Sequence, residues 1–503
     1  MPDVVLATLN SKYIHSAFGL RCLWANLGEL QSRAVMFERD AQLPVADVVE
    51  QLLALSPRVV GLGVYIWNVS ALTRVVQLLK QVAPDILIVL GGPEVSHEIE
   101  GQPIVDAADY VIRGEGDLAF AALAGQLLEG KKPPQKIIGA TLPELKQLKS
   151  PYAAYTDDDV AHRVIYVEAS RGCPYRCEFC LSSLDEKVRA FPLPAFLADM
   201  KVLLERGVRQ FKFVDRTFNL DIATSSAILK FFLSEMREGL FVHFEMVPDR
   251  LPLALRELIA QFPPGALQFE VGVQTLNPQV EALVSRRQNH ERMRDNFRFL
   301  REETGVHVHA DLIAGLPGET VESFGAGFDA LWAMRPHEIQ LGILKRLKGT
   351  PISRHDGAHA MAYSPEPPYE VLKTASIDFP TLQNMKRFAR YWDLFGNSGH
   401  FRHALPLLLE GESPFAAFAA FSGWLYAQGR HTHGIALLKQ YALVFTFLTQ
   451  QRGLEQTQVG QALALDFGAH RADMPGWLKA FAGALPGAAP STQLPKRQAR
   501  HMS

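Results

Sequence analysis

Two long stretches of this chain repeat one pattern, a short apolar run followed by an amphipathic stretch, and a chain written that way folds as parallel sheet covered by helices. In the first stretch the runs are Val4 to Leu9, Ala34 to Glu38, Val59 to Tyr65, Ile86 to Leu90 and Tyr110 to Ile112. Five strands so spaced predict an α/β, flavodoxin-like doubly wound sheet, whose ligands bind beyond the carboxyl ends of its strands. In the second stretch the runs are Val164 to Glu168, Gln210 to Val214, Val242 to Met246, Leu267 to Val273, Val306 to Ile313 and Glu338 to Leu344. Six strands with helices between them predict a partial (β/α)6 barrel of the TIM type, with its chemistry at the same carboxyl ends. From about residue 375 the pattern turns mostly helical, with apolar periodicity in Leu405 to Leu409, Pro414 to Ala427 and Gly434 to Leu448.

These patterns divide the chain into a first domain over 1–135, a linker over 136–158, a barrel over 159–375, a helical domain over 376–484 and a disordered tail over 485–503. The linker reads as polar and Pro-rich around Lys131 to Pro134, then loose through Pro151 and Asp157-Asp158-Asp159. Several domains suit 503 residues, which exceed one ordinary core. With 21% charged residues and a net charge of -2, no basic field marks a nucleic-acid or membrane-surface partner, and a small-molecule substrate is expected. Met1 to Leu9 lacks the positive region and cleavage site of a signal peptide and reads as a first strand. The apolar run Phe415 to Ala427 is broken by Ser422 and Gly423, short of the ~20 residues that span a membrane. Four cysteines, three of them clustered and Cys22 alone, make no disulfide framework and suit a reducing compartment, the cytoplasm by default.

The cluster lies in Ser170-Arg171-Gly172-Cys173-Pro174-Tyr175-Arg176-Cys177-Glu178-Phe179-Cys180, directly after the first barrel strand. Thiolates are the soft ligands of iron-sulfur clusters, and three of them leave a four-iron cluster one free corner. An electron-transfer ferredoxin would want a fourth cysteine nearby, and zinc sites usually pair cysteines as C-x2-C; a zinc knot or three inert thiols is the alternative. The spacing C-x3-C-x-aromatic-C resembles the radical S-adenosylmethionine (SAM) signature. That resemblance implies a [4Fe-4S] cluster on Cys173, Cys177 and Cys180, with SAM chelating the free iron and cleaved by one electron to a 5′-deoxyadenosyl radical. It places Phe179 beside adenine and calls for an external one-electron reductant such as flavodoxin or ferredoxin. By the same resemblance, Gln274 and then Glu270, in Glu270-Val271-Gly272-Val273-Gln274-Thr275, meet the ribose and sulfonium of SAM. The segment Asp311-Leu312-Ile313-Ala314-Gly315-Leu316-Pro317-Gly318-Glu319 brings Ile313 and Gly315 to the adenine. Asp215, Arg216, Thr217, Asn219 and Glu245 also stand at or in strands, where interior ion pairs, Asp215 with Arg216 among them, are the alternative to a site.

Upstream, the fourth strand runs into Gly91-Gly92-Pro93-Glu94 and the fifth into Gly114-Glu115-Gly116-Asp117, turns that permit close backbone approach to a ligand. Together they resemble the cobalamin-binding domain that precedes many radical SAM cores; plain βα turns of a degenerate flavodoxin-like domain are the other reading. The loop after the first strand, Asn10-Ser11-Lys12-Tyr13-Ile14-His15, departs from the D-x-H-x-x-G of many such domains, and Gly19 follows His15 by four residues instead of three. The resemblance therefore implies cobalt without a His ligand, with Trp67 or Asn68 under it and Asn10, Gly91, Gly92, Gly114, Glu115 and Gly116 about the cofactor. Ordinary interdomain packing is the alternative for Trp67. The basic run in Leu344 to Pro351 reads as a solvated or interdomain face, and His400, His403, His431 and His433 cluster without a ligand spacing.

The resemblance covers residues 1 to about 375, and the remainder is similar to the helical C-terminal domain, of no assigned role, in one branch of cobalamin-binding radical SAM proteins. It implies a methyltransferase acting on an unactivated carbon of a small molecule. The same cofactors would also serve a radical rearrangement, cyclisation or oxidation, and a non-catalytic cofactor-sensing protein is the reading from another class. A methylthiotransferase would bring three further cysteines to the first domain, where Cys22 stands alone.

Overall fold

The computed structural model describes residues 1–185, 187–468 and 474–482, so the tail expected over 485–503 lies outside the described residues. It forms two compact units. One comprises Met1–Arg216 with Lys345–Ser353 and Ser364–Glu370; the other comprises Thr217–Leu344, Arg354–Tyr363 and the described residues from Val371 on.

The first unit opens with β1 (Val4–Asn10), α1 (Phe18–Ala25), β2 (Ala34–Asp40), α2 (Val45–Ala54), β3 (Val59–Gly63), α3 (Val69–Val82), β4 (Leu87–Gly91), α4 (Pro103–Ala107), β5 (Tyr110–Arg113), α5 (Ala119–Leu128) and β6 (Ile137–Gly139). The strands form one parallel sheet in the order β2-β1-β3-β4-β5-β6. The order reverses at β1 and β3, the switch point at which such sheets bind ligands. Every residue of β1 is buried, and its alternate side chains serve two cores: Val5, Ala7 and Leu9 join one, Val4 and Leu6 the other. Helices must therefore cover both faces. On α3 the buried Leu72, Val75, Val76 and Leu79 fall at helical spacing, and on α5 Phe120, Leu123, Ala124 and Leu127 do the same. Each buried Val, Leu or Phe among them contributes roughly 1.5–3 kcal/mol by leaving water. The sixth strand sits where a linker was expected, because three residues are too short for an alternation to show.

The unit continues with α6 (Asp157–His162), β7 (Ile165–Val167), β8 (Ser170–Arg171), β9 (Arg189–Ala190), α7 (Leu193–Glu205) and β10 (Gln210–Phe213). The acidic run expected to be loose is the first turn of α6. Thr156 caps it in a reciprocal box with Asp159, and acids there are favoured by the helix dipole. β7 belongs to the first unit because the chain ahead of it is tied to the first sheet. Ser16 Oγ donates to Val164 O at 2.8 Å, His15 pairs with Val164 as an isolated bridge, and buried Arg21 joins Glu38 (2.7 Å) to Asp159 (2.8 Å). β10 lies parallel to β7, and β8 and β9 form a short antiparallel hairpin.

The second unit holds α8 (Ile222–Ser234), β11 (Phe241–Met246), α9 (Leu253–Ile259), β12 (Leu267–Gln274), α10 (Pro278–Leu283), α11 (His290–Glu302), β13 (His307–Ala314), α12 (Val321–Ala333) and β14 (Glu338–Ile343). Its four strands pair in parallel, in chain order, and agree with the expected runs within a residue or so. A two-stranded ribbon, β15 (Ala362–Tyr363) with β16 (Val371–Lys373), follows. Then come α13 (Phe379–Phe395), α14 (Ala404–Leu409), α15 (Pro414–Gly429), α16 (Leu437–Thr446), α17 (Gln456–Phe467) and α18 (Gly476–Lys479). Their core is aromatic: Trp392 meets Phe418 edge-on at 4.9 Å and Phe328 at 4.8 Å. Gly325 lets α12 approach α15, since a Cβ there would lie 2.6 Å from the Phe415 ring. No described helix is long and apolar enough to cross a membrane.

Candidate functional site

At the carboxyl ends of β3, β4 and β5, against α1, lies a cavity of about 430 Å3 lined by seven glycines, Gly63, Gly91, Gly92, Gly114 and Gly116 among them. Its walls also carry Leu20, Ile112 and Phe120. Gly92 has φ +106, and a Cβ on it would stand 2.5 Å from Val64 O. Gly114 has φ +86, so both turns are bent as only glycine bends freely. A crevice opened by the removal of side chains fits a bulky ligand approached through the backbone, as the expected cobalamin would be.

The two residues expected beneath cobalt part company. Asn68 is fully buried and spends its amide on the scaffold: it donates to Thr8 Oγ1 (3.1 Å) and Leu9 O (3.1 Å), and accepts from Tyr65 N (2.8 Å). Trp67 is 52% exposed, stacked flat on Tyr65 at 4.5 Å with its Nε1 donating to Leu9 O. Asn10 is likewise engaged, donating to His15 O (2.9 Å) and Glu38 (2.8 Å). His15 Nδ1 lies 2.7 Å from the Tyr166 hydroxyl, and burial lowers its pKa.

The cysteine loop springs from the β8–β9 hairpin. Gly172, at φ +95, passes so close to Lys187 O that a Cβ would lie 2.3 Å from it, and Cys173 N donates to Asp185 O at 3.2 Å. Cys180 N donates to Cys177 O, and Ser183 Oγ closes on Cys180 O at 2.6 Å. Cys173 and Cys177 are buried; Cys180 and Phe179 are half-buried. Burial raises the Cys173 pKa, and the neighbouring Cys180 and Cys177 raise it further, so the three thiols lie within electrostatic reach of one another. Among the described residues no three His, Cys, Asp or Glu side chains close on a single metal ion, the four C-terminal-domain histidines included. A four-iron cluster spaces its thiolates more widely, and three thiols on one loop are the donor set it takes.

Between cavity and loop stands Arg171. Its Nη1 donates to Glu115 (2.8 Å) and Asp117 (3.0 Å), its Nη2 to Asp117 (3.1 Å) and its Nε to Glu168 (2.9 Å). Arg189, opposite it across the hairpin, holds the other oxygen of Glu115. Burial pushes Glu168 up to about 7 against the pull of Arg171. Asp215, pushed up to about 6 by burial, accepts from Ala169 N (3.0 Å) and Ser170 Oγ (2.6 Å), fixing the approach to the hairpin. The basic run after β14 is a clasp. Lys348 (2.6 Å) and the Tyr369 hydroxyl (2.6 Å) both reach buried Glu94 of the GGPE turn, Arg346 reaches Glu98, and Ile352 N donates to Glu178 O inside the cysteine loop.

In the second unit Glu270 pairs with His243 at 3.0 Å. Gln274, at φ +71, sits on a bulge between β12 and β13, and its buried Oε1 has no hydrogen-bond partner among the described residues. A strained residue with an orphaned acceptor is how a ligand contact looks without its ligand. Ile313 faces Gly342 across β13 and β14, and Gly315 (φ +88) packs where a Cβ would meet Val371 at 2.5 Å. Asn219 serves the scaffold as well, bonding the backbone of Val247, and the backbone carbonyl of Glu245 accepts from Phe218 N. Sequence reasoning passed over Arg171, Glu168 and Glu94 as site residues although their motifs were in view; Arg171 and Glu94 gain a role only from partners distant in sequence, and Glu168 gains its role through Arg171.

Comparison with known proteins finds three families in succession along the chain. Residues 4–124 match the B12 binding domain, residues 167–330 the radical SAM superfamily, and residues 357–484 a protein family of unknown function, DUF4080. An uncharacterized methyltransferase of Pyrococcus horikoshii, PH0819, is 24% identical over 56% of this chain and 66% of its own length. The cobalamin-dependent radical SAM methyltransferase TokK of Streptomyces tokunonensis is 25% identical over 65% of this chain and 53% of its own. The chain thus spans between half and two thirds of these relatives. The radical SAM methyltransferase TsrM of Kitasatospora setae, solved with tryptophan and a SAM analogue, superposes with a TM-score of 0.63 at 17% identity, covering 85% of this chain and 95% of that one. A further structure of TsrM holds cobalamin and a [4Fe-4S] cluster.

Proposed function

Since this chain is a radical SAM protein with a B12-binding domain and a DUF4080 region, we propose that it is a cobalamin-dependent radical SAM methyltransferase acting on an unactivated carbon of a small molecule. Cys173, Cys177 and Cys180 would hold the [4Fe-4S] cluster, the glycine-lined cavity would hold cobalamin, and Gln274 and Glu270 are assigned to SAM. Bound there, cluster and SAM supply one-electron bond cleavage and cobalamin supplies methyl-group transfer. One observation supports the reading above others: cavity and cysteine loop belong to the same compact unit and share one buried guanidinium, Arg171.

The chain's own residues carry the positioning that such chemistry needs. Gly91, Gly92, Gly114 and Gly116 line the cavity and would present backbone to a cofactor held there. Trp67 offers an exposed aromatic face where a histidine ligand is absent, and Asn68 holds the loop that carries it. Gly172 permits the turn from which the thiolates project.

Anaerobically reconstituted protein is expected to take up one four-iron cluster and one cobalamin, and to give both 5′-deoxyadenosine and S-adenosylhomocysteine from SAM under dithionite. The first product reports SAM cleavage and the second reports loss of its methyl group. Cleavage without S-adenosylhomocysteine would move the chain to rearrangement or oxidation chemistry; no cleavage at all would remove it from the enzymes. Changing Cys173, Cys177 and Cys180 to Ala together should abolish the cluster, and the cob(II)alamin EPR spectrum should show no nitrogen coupling from the protein.

A further inference from the structure

The turn that lines the cavity and the hairpin that carries the cysteines are joined by one carboxylate. Glu115 stands between Gly114 and Gly116, both on the cavity wall. One of its oxygens accepts from Arg171 at 2.8 Å and the other from Arg189. Those two arginines face each other in the β8–β9 ladder, so Glu115 bridges both strands of the hairpin at the point where the cysteine loop begins and ends. Asp117, on the same turn, doubles the tie with two contacts to Arg171 at 3.0 and 3.1 Å. Arg189 also reaches Asp185, whose backbone carbonyl receives Cys173 N. The side chains are mostly shielded, 7% exposed for Asp117 and 13% for Arg171, so these contacts are weakly screened by solvent.

The geometry points to Glu115 and Arg171 as positioning residues that couple the occupancy of the cobalamin cavity to the placement of the cluster loop. Filling the cavity fixes the glycine turn at its wall, the turn fixes Glu115, and Glu115 fixes the spacing of the two strands from which the thiolates hang. Coupling of this kind is reciprocal: a bound cluster must tighten cobalamin by the factor with which cobalamin tightens the cluster. The inference rests on the proposed cofactor assignment.

The test is the dissociation constant of hydroxocobalamin, read by absorbance under anaerobic conditions, for protein with its cluster and for the same protein freed of it by chelation. We expect the cluster-bearing form to bind about tenfold more tightly, within the usual range of coupling between sites. In Glu115→Gln that ratio should fall to within about twofold. Arg189→Gln cuts the contact to the same carboxylate from the hairpin side and should give the same collapse, so a folding defect in one variant does not decide the result. A merely structural role would weaken both affinities alike and leave the ratio unchanged. A wild-type ratio near one, or a tenfold ratio kept in both variants, overturns the coupling. Wild-type protein that binds no cobalamin would overturn the cofactor assignment along with it.

Discussion

The strand ends of the first sheet and those of β11 to β14, both proposed above as cofactor sites, are built by opposite means. The first are stripped of side chains: Gly63 ends β3, Gly91 and Gly92 end β4, and Gly114 and Gly116 follow β5. The second are furnished with polar ones: Glu270 and Gln274 on β12 and Asp311 on β13. A crevice made by subtraction admits a large body and recognises it by shape. One made by addition recognises a few atoms of a smaller one. The two should therefore fail differently, the first when a methyl group is added and the second when an amide is removed.

The largest effect is expected from Gly92→Ala. The added Cβ would meet Val64 O at 2.5 Å and Val64 N at 3.0 Å, both backbone, in a conformation of φ +106. Neither neighbour can swing aside. Cobalamin content after reconstitution should drop by tenfold or more while iron and sulfide per chain stay as in wild type. Gly139→Ala, at a glycine of β6 with nothing within 4 Å of a new Cβ, should leave both contents unchanged. Equal losses in the two variants would mean that the glycine-lined crevice is not where cobalamin binds.

The second region is tested by Gln274. Gln274→Ala deletes the orphaned Oε1 and keeps the left-handed strain, whereas Gln274→Gly deletes both. SAM binding to the cluster-bearing protein should weaken by roughly tenfold in each, the worth of about one good hydrogen bond. The glycine variant alone should melt higher than the alanine one, by about 0.5–1 kcal/mol of relieved backbone strain. Unchanged SAM affinity in both would leave Gln274 a strained scaffold residue.

What the sequence disclosed follows the same divide between pattern and partner. The strands of both series were legible because period and length are local properties, whereas β6 is too short to have a period. The acids of α6 looked like a linker because three aspartates in a row look solvated; their helix start shows only once Thr156 is seen to cap them and Asp159 to meet Arg21. In the site, the thiols and glycine turns were visible in their spacing. Arg171 stood in plain view two residues before Cys173, but its partners Glu115 and Asp117 lie 56 and 54 residues upstream, and no local pattern joins them. Trp67 and Asn68 were inseparable in sequence, since a loop has no face until it folds. The basic run around Lys348 was read as a solvated or interdomain face, and its clasp on Glu94 needed the fold to bring the GGPE turn to it.

A last effect, on stability and not on cofactor binding, concerns Glu319, which braces the polar region from behind. Its Oε1 accepts from Thr275 Oγ1 at 2.8 Å, one residue past Gln274, while its Oε2 is buried with no hydrogen-bond partner among the described residues. Burial raises its pKa from the ordinary 4.5 to about 7, against the opposing hydrogen bonds of Thr275 and Ser323. Between those two values the folded protein binds a proton that the unfolded chain has released, so the folded state loses stability as pH rises through this window and levels off above it. A raised carboxyl pKa thus destabilises at neutral and alkaline pH, by up to about 3 kcal/mol for a shift of this size. Glu319→Gln mimics the protonated acid and cannot ionise. It should match wild type near pH 4.5, exceed it in unfolding free energy above pH 7, and flatten the slope between, all read from urea titrations of each variant. If the two curves run parallel from pH 4.5 to 8, Glu319 is ionised throughout, and the β12 bulge that aims Gln274 is held by a charge instead of a neutral carboxyl.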